Sequence, residues 1–137
     1  MQHQQQLVDL FTQHQSWEDR YRTILRLGKA QPRLDSEKQL DDVLLAGCES
    51  KVWFYGQYDQ STGLIVLAID SDSKIIRGLI SIIINAHQSL NHQQVQAFDC
   101  VDFFERLGLL THLSPSRGNG IRAIITAIKE LPAMSPS

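Results

Sequence analysis

Apolar residues recur every three or four positions over both ends of the chain and give way to a β-branched and aromatic stretch between them. Trp17, Tyr21, Ile24, Leu25 and Leu27 share a helical spacing. Ser16 before them, with acidic Asp19 at the third helical position, predicts an N-cap. Gly28 and Pro32 mark the region where that helix stops, and a shorter helix over Leu7, Val8, Leu10 and Phe11 precedes it. Val52 to Tyr58 and Leu64 to Ile69, separated by the polar stretch 59–63, read as a hairpin. Val43 to Ala46 is an expected third strand.

The caps Asp70-Ser71-Asp72 introduce Ile75, Ile76, Leu79, Ile80, Ile83 and Ile84. Their β-branched content favours strand, but the caps and the length favour a buried helix. Asn91-His92-Gln93-Gln94 is a capping-box pattern. Asp99 opens a further helix that closes at Gly108, and a last one runs from near Ser116 through Ile128 to Pro132. The predicted class is α+β, a small antiparallel sheet packed by helices.

The 137 residues, 42% of them hydrophobic and 20% charged, suit one domain over 1–137. Thirteen Lys and Arg against fifteen Asp and Glu leave a net charge of -2, with no run of one sign. That argues against a nucleic-acid binder, which concentrates cations to displace counterions. The start of the chain, Met1 to Gln6, has neither a basic nor an apolar segment, and the run Gly78 to Ala86 falls far short of the ~20 residues that span a bilayer. The expected location is the cytoplasm, where Cys48 and Cys100 stay reduced.

Cys48 follows Gly47, which allows a tight turn, and precedes Glu49-Ser50-Lys51 and the strand beginning at Val52. The thiol therefore sits at a loop or strand entrance. Lys51 or an arginine nearby would favour its thiolate and Glu49 would oppose it. Local context leaves two readings open, a reactive thiol and a small buried hydrophobe. Cys100 lies among Phe98, Val101, Phe103 and Phe104 and reads as core. His3, His14, His87, His92 and His112 are scattered, without the clustering a zinc site needs. Gly118-Asn119-Gly120 follows a turn rather than a strand, so loop glycines are preferred to a phosphate loop. Ser114-Pro115-Ser116-Arg117 presents an arginine at a helix start, either solvated or available to an anion. Asp70 and Asp72 read as caps rather than an acid–base pair.

Four pieces in order carry a resemblance to a known family: Trp17-Glu18-Asp19-Arg20-Tyr21 with Leu27-Gly28-Lys29; Gly47-Cys48-Glu49-Ser50-Lys51-Val52-Trp53; Asp70-Ser71-Asp72 with Ile75 and Arg77-Gly78-Leu79; and Leu113-Ser114-Pro115-Ser116-Arg117 with Gly120. The chain resembles the SufE-like family of sulfur acceptors, SufE and CsdE, and the resemblance covers about Trp17 to Ile128. The resemblance implies a two-layer fold like that of the IscU-type scaffolds. It further implies that Cys48 takes a sulfane sulfur from the persulfide of a pyridoxal-phosphate cysteine desulfurase, SufS- or CsdA-like, and stimulates that enzyme. Gly47, Asp72 and Arg117 match supporting positions. No cofactor or metal is expected on this chain, since the pyridoxal phosphate belongs to the partner. The sulfur would pass to an Fe–S scaffold or, alternatively, into a relay toward tRNA modification. The rival from another class is a cysteine-dependent hydrolase or peroxidase; a hydrolase needs a histidine beside its nucleophile.

Overall fold

The computed structural model describes residues 2–13 and 16–133. These described residues form six α-helices and one antiparallel hairpin, in the order α1 (Gln2–Thr12), α2 (Trp17–Ala30), β1 (Val52–Tyr58), β2 (Ile65–Ser71), α3 (Lys74–Ala86), α4 (His92–Ala97), α5 (Cys100–Arg106) and α6 (Pro115–Lys129). This is the α+β arrangement predicted. His14, one of the scattered histidines, lies outside the described residues.

Helix α3 is the axis of the molecule. Ile75, Ile76, Leu79, Ile80, Ile82 and Ile83 are all buried. A helix apolar nearly all round belongs in a core, and α1, α2, α6 and β2 pack against it. Burial of both flanks is what lets an isoleucine-rich segment stay helical despite its β propensity. The side chain of Gln4 on α1 donates to the carbonyl of Ala86 at 3.0 Å and so satisfies one orphan group at the end of α3.

The predicted caps form at most helices. Ser16 Oγ accepts from the Asp19 amide at 3.1 Å. Asn91 and Gln94 close a reciprocal capping box at 2.9 Å in each direction. Asp99 accepts from the Asp102 amide at 3.0 Å, and the chain leaves α5 through Gly108 at φ 73°. Helix α6 starts slightly earlier than expected, with Ser114 as N-cap and Pro115 in the first turn.

Helix α2 stops at Ala30, inside the region marked by Gly28 and Pro32, and Gly28 itself is buried against α3. A Cβ at Gly28 would stand 2.8 Å from the backbone nitrogen of Gly78, and one at Gly78 would run into the Ile24 carbonyl. The two glycines let the helices cross backbone to backbone. Two expectations are corrected. Asp70 and Asp72 do not cap α3; Ser73 does, accepting from the Ile76 amide at 3.3 Å. The third strand reduces to a 3-10 turn at Asp41–Val43 and one bridge, Leu44 to Trp53.

The hairpin pairs Val52 with Ser71 through Tyr58 with Ile65. Val52, Tyr58, Ile65 and Ile69 lie in the core. On the other face Asp70, opposite Trp53, holds the chain between α2 and β1. It accepts from Arg33 Nε at 3.2 Å and from the Leu34 amide at 3.1 Å. Nearby, Tyr55 donates its hydroxyl to the Lys38 carbonyl at 2.7 Å. This segment ends in the loop that carries Cys48.

Candidate functional site

Cys48 lies where three pieces of backbone converge: its own loop, the first turn of α3 and the first turns of α6. Gly47 in front of it has φ +86°, a left-handed conformation that strains any residue with a Cβ. The expected tight turn at Gly47 is therefore present, and it aims the cysteine back toward α6. Behind the thiol, Asp72 fixes the strand entrance. Its carboxylate accepts from the Lys51 amide at 3.0 Å, and its own amide donates to the Lys51 carbonyl at 3.3 Å. Asp72 thus holds the far end of the loop, outside the cavity that the thiol faces.

That cavity has a volume of about 370 Å³. Cys48, Glu49 and Ser50 form one wall, Ser73 and Ile76 of α3 a second, and Ser114, Ser116, Arg117 and Gly120 the third. The Cys48 sulfur lies 3.9 Å from the Gly120 carbonyl, a weak contact between positions 72 residues apart. A Cβ at Gly120 would come 3.9 Å from the same sulfur and take up space beside it. Arg117, the arginine predicted at this helix start, does line the cavity. Its amide donates to Ser114 Oγ at 3.4 Å in the cap of α6. Lys51, the other cation considered for Cys48, is not among the lining residues.

The thiol is half-buried, and burial pushes its pKa above the ordinary 9.0. Desolvation disfavours the thiolate, so at neutral pH the resting group is a protonated, weakly nucleophilic thiol. The cation effect weighed for Cys48 does not overcome burial in the free protein. Cys100 behaves as a core residue, buried in the same cluster as Phe103 and Phe104, with its pKa pushed up to about 12 by burial and then by Asp99.

The fold brings Cys48 and Arg117 to one cavity, with Gly47 next to it in the chain, and adds Gly120 and Ile76 to the lining. Gly118 and Gly120 are not loop glycines as expected but lie inside α6, and Ile76, expected in the core, also borders the cavity. Only the spacing of Gly120 three residues after Arg117, one face of a helix turn, hinted at a shared location. No histidine is among the described residues that line the cavity. No group of three or more metal-ligating side chains occurs among the described residues.

Comparison with known proteins decides the lineage. A sequence model of SufE, the Fe-S metabolism associated domain, matches residues 5–131. The chain belongs to the SufE family. An uncharacterized SufE-like protein of Rhizobium etli is 35% identical over 127 residues, 91% of this chain and 86% of that protein. Another from Rhizobium meliloti is 33% identical and covers 90% of each. The solution structure of a hypothetical protein from Thermus thermophilus superposes with a TM-score of 0.73, covering 93% of this chain and 90% of that one, at 15% identity. That likeness extends to the fold alone. Membership in the SufE family implies a sulfur-transfer role in Fe–S metabolism. No helix among the described residues is long and apolar enough to cross a membrane.

Proposed function

We propose that this SufE-family chain is a covalent sulfur carrier whose working atom is the Cys48 sulfur. A pyridoxal-phosphate cysteine desulfurase, SufS- or CsdA-like, loads it in the cytoplasm, and an Fe–S assembly scaffold unloads it. The observation that carries this reading is the placement of one half-buried thiol on a glycine-hinged loop, facing a cavity large enough for an added sulfur.

The chemistry is an exchange without net oxidation. The Cys48 thiol loses its proton on docking, and the thiolate attacks the outer sulfur of the partner's persulfide. The bond between the partner's two sulfurs breaks, and the inner sulfur leaves as a thiolate that takes up a proton. Cys48 is then a persulfide, and the partner's cysteine is a free thiol again. The pyridoxal phosphate works only on the desulfurase. This chain adds the acceptor atom, its positioning, and shelter of the product from water.

Three features support those roles. Gly47 gives the loop its turn, Asp72 anchors the loop's far end, and Arg117 with the amino-terminal turn of α6 offers positive charge to an anionic sulfur. The raised pKa fits a carrier that is quiet until docking draws the thiol out of its buried setting or sets a positive charge beside it. It fits a hydrolase poorly, since such an enzyme needs its nucleophile activated in place.

Intact-mass measurement tests the proposal. The protein is incubated with its cognate desulfurase and free cysteine, then weighed without reductant. One added sulfur is expected, lost in Cys48→Ser and kept in Cys100→Ser. Wild-type protein that gains no sulfur would rule the carrier out.

A further inference from the structure

Helix α3 has a second cavity on its flank. It is a groove of about 510 Å³ between α2 and α3, larger than the thiol cavity. Arg22, Arg26 and Lys29 of α2 and Lys74 and Arg77 of α3 surround a floor made by Leu25 and Gly28. Arg22, Leu25, Arg26 and Lys29 lie at i, i+3, i+4 and i+7 and so form one stripe along α2. No carboxylate is among the described residues that line the groove. Five of the thirteen Lys and Arg thus gather here in a chain whose net charge is -2.

Fold stability does not account for all five. Arg77 pairs with Asp70 and Arg22 with Asp19, and Arg26 donates to Thr23 Oγ1. Lys29 and Lys74 are exposed and have no ion pair among the described residues. Lys74 is also the first residue of α3, whose first turn holds no acidic residue. A cation there opposes the helix macrodipole and weakens the helix.

The groove lies beside the thiol cavity. Ser73 and Ile76 face the cavity, while Lys74 and Arg77, their neighbours in the same turn of α3, face the groove. A protein that brings a persulfide to Cys48 covers both within one footprint. The occupant must carry negative charge and also apolar groups, because Leu25 and the alkyl stems of the cations form the floor. A nucleic-acid strand fits poorly, since no aromatic side chain in the groove offers a stacking platform.

We propose that this groove docks an acidic, partly apolar segment of the cysteine desulfurase that loads Cys48. The inference rests on the carrier reading and adds the second contact that steers and orients the partner.

Calorimetric titration of the purified cognate desulfurase with the full chain, in the absence of free cysteine, tests it. Lys29→Glu combined with Lys74→Glu should raise Kd at least tenfold at 50 mM NaCl. Wild-type affinity should fall on going to 300 mM NaCl, and the variant's should not. Lys74→Glu alone should keep or raise the unfolding midpoint while still weakening binding, which separates docking from folding. Equal Kd and equal salt dependence overturn the proposal, as does wild-type protein that fails to bind the desulfurase. A fluorescein-labelled oligo(dT) bound more tightly than the desulfurase, and lost in the double variant, also overturns it. Sulfur uptake by the wild type reports on the carrier separately. Loading with unchanged Kd removes the groove alone, whereas absent loading with weakened variant binding removes the carrier chemistry and keeps the dock.

Discussion

The two thiols of this chain differ in what burial does to them. Cys48 is half-buried beside a cavity, and the desolvation that raises its pKa is reversible by a small loop movement that exposes the thiol. Cys100 is fixed in the core between α5 and its neighbours, and its pKa is pushed from 9.0 up to about 12. That second shift has a consequence for stability. Between about pH 9 and 12 the unfolded thiol has lost its proton and the folded one has kept it, so the folded state binds more protons. Stability is then fully present below pH 9 and falls as pH rises, by about 1.4 kcal/mol per pH unit and roughly 4 kcal/mol in all. Cys48 adds to the loss with the same sign. Urea unfolding of wild type and Cys100→Ala at pH 8, 9, 10 and 11 isolates the Cys100 part, because other titrating groups cancel in the difference. The wild type should lose stability faster over the alkaline range, and parallel profiles would show that Cys100 does not hold its proton in the fold.

At the scale of elements, the crossing of α2 over α3 decides the packing. Gly78→Ala would gain about 1 kcal/mol of helix propensity, but its Cβ meets the backbone of Ile24, which cannot turn aside as a side chain can. Overpacking costs of ~1–3 kcal/mol or more outweigh the gain, so a clearly lower urea midpoint is expected; an unchanged or higher one would mean that the helices can separate freely. This crossing also marks the limit of what the sequence discloses. Caps at Ser16, Asn91 and Asp99 are local events, settled within three residues, and were legible as such. A helix glycine reads locally as a stop, and only a partner 50 residues away turns Gly28 into a contact point. The same distance hid the cavity. Gly47 and Cys48 could be found from their own neighbourhood, whereas the contact of the Cys48 sulfur with Gly120 depends on how α6 returns to the loop. Val43 to Ala46 has strand-like composition but forms a single bridge, because the chain there is bent by a 3-10 turn.

For the whole molecule, Asp70 links the scaffold to the working loop. Its side chain is fully buried, in β2, and gathers partners from three separate parts of the chain. Arg33, the Leu34 amide and Gln39 come from the segment that leads toward Cys48. The Ser71 amide comes from its own strand at 2.8 Å. Arg77 comes from α3, with Nε 3.2 Å from Oδ1. That last contact is one of charge rather than a formed hydrogen bond, since Arg77 Nε has no partner in hydrogen-bonding geometry; its Nη2 donates to the Gln31 carbonyl at 3.0 Å. The side chain of Arg77 is only 13% exposed, so removing the carboxylate leaves a largely buried guanidinium without its counter-charge. Loss of one partner from such a pair costs about 3–5 kcal/mol, and the more exposed Arg33 adds little. Asp70→Asn keeps the size of the side chain and removes the charge, so it should lower stability by several kcal/mol on urea unfolding. A second effect separates this from general weakening. The segment freed from Asp70 runs straight into the Cys48 loop, so alkylation of Cys48 by iodoacetamide at pH 8, in the absence of denaturant, should speed up while Cys100 stays protected. If both cysteines become reactive together, the variant is unfolding globally. If neither does, the loop is held by Gly47 and Asp72 alone, and the link from core to thiol through Asp70 does not operate.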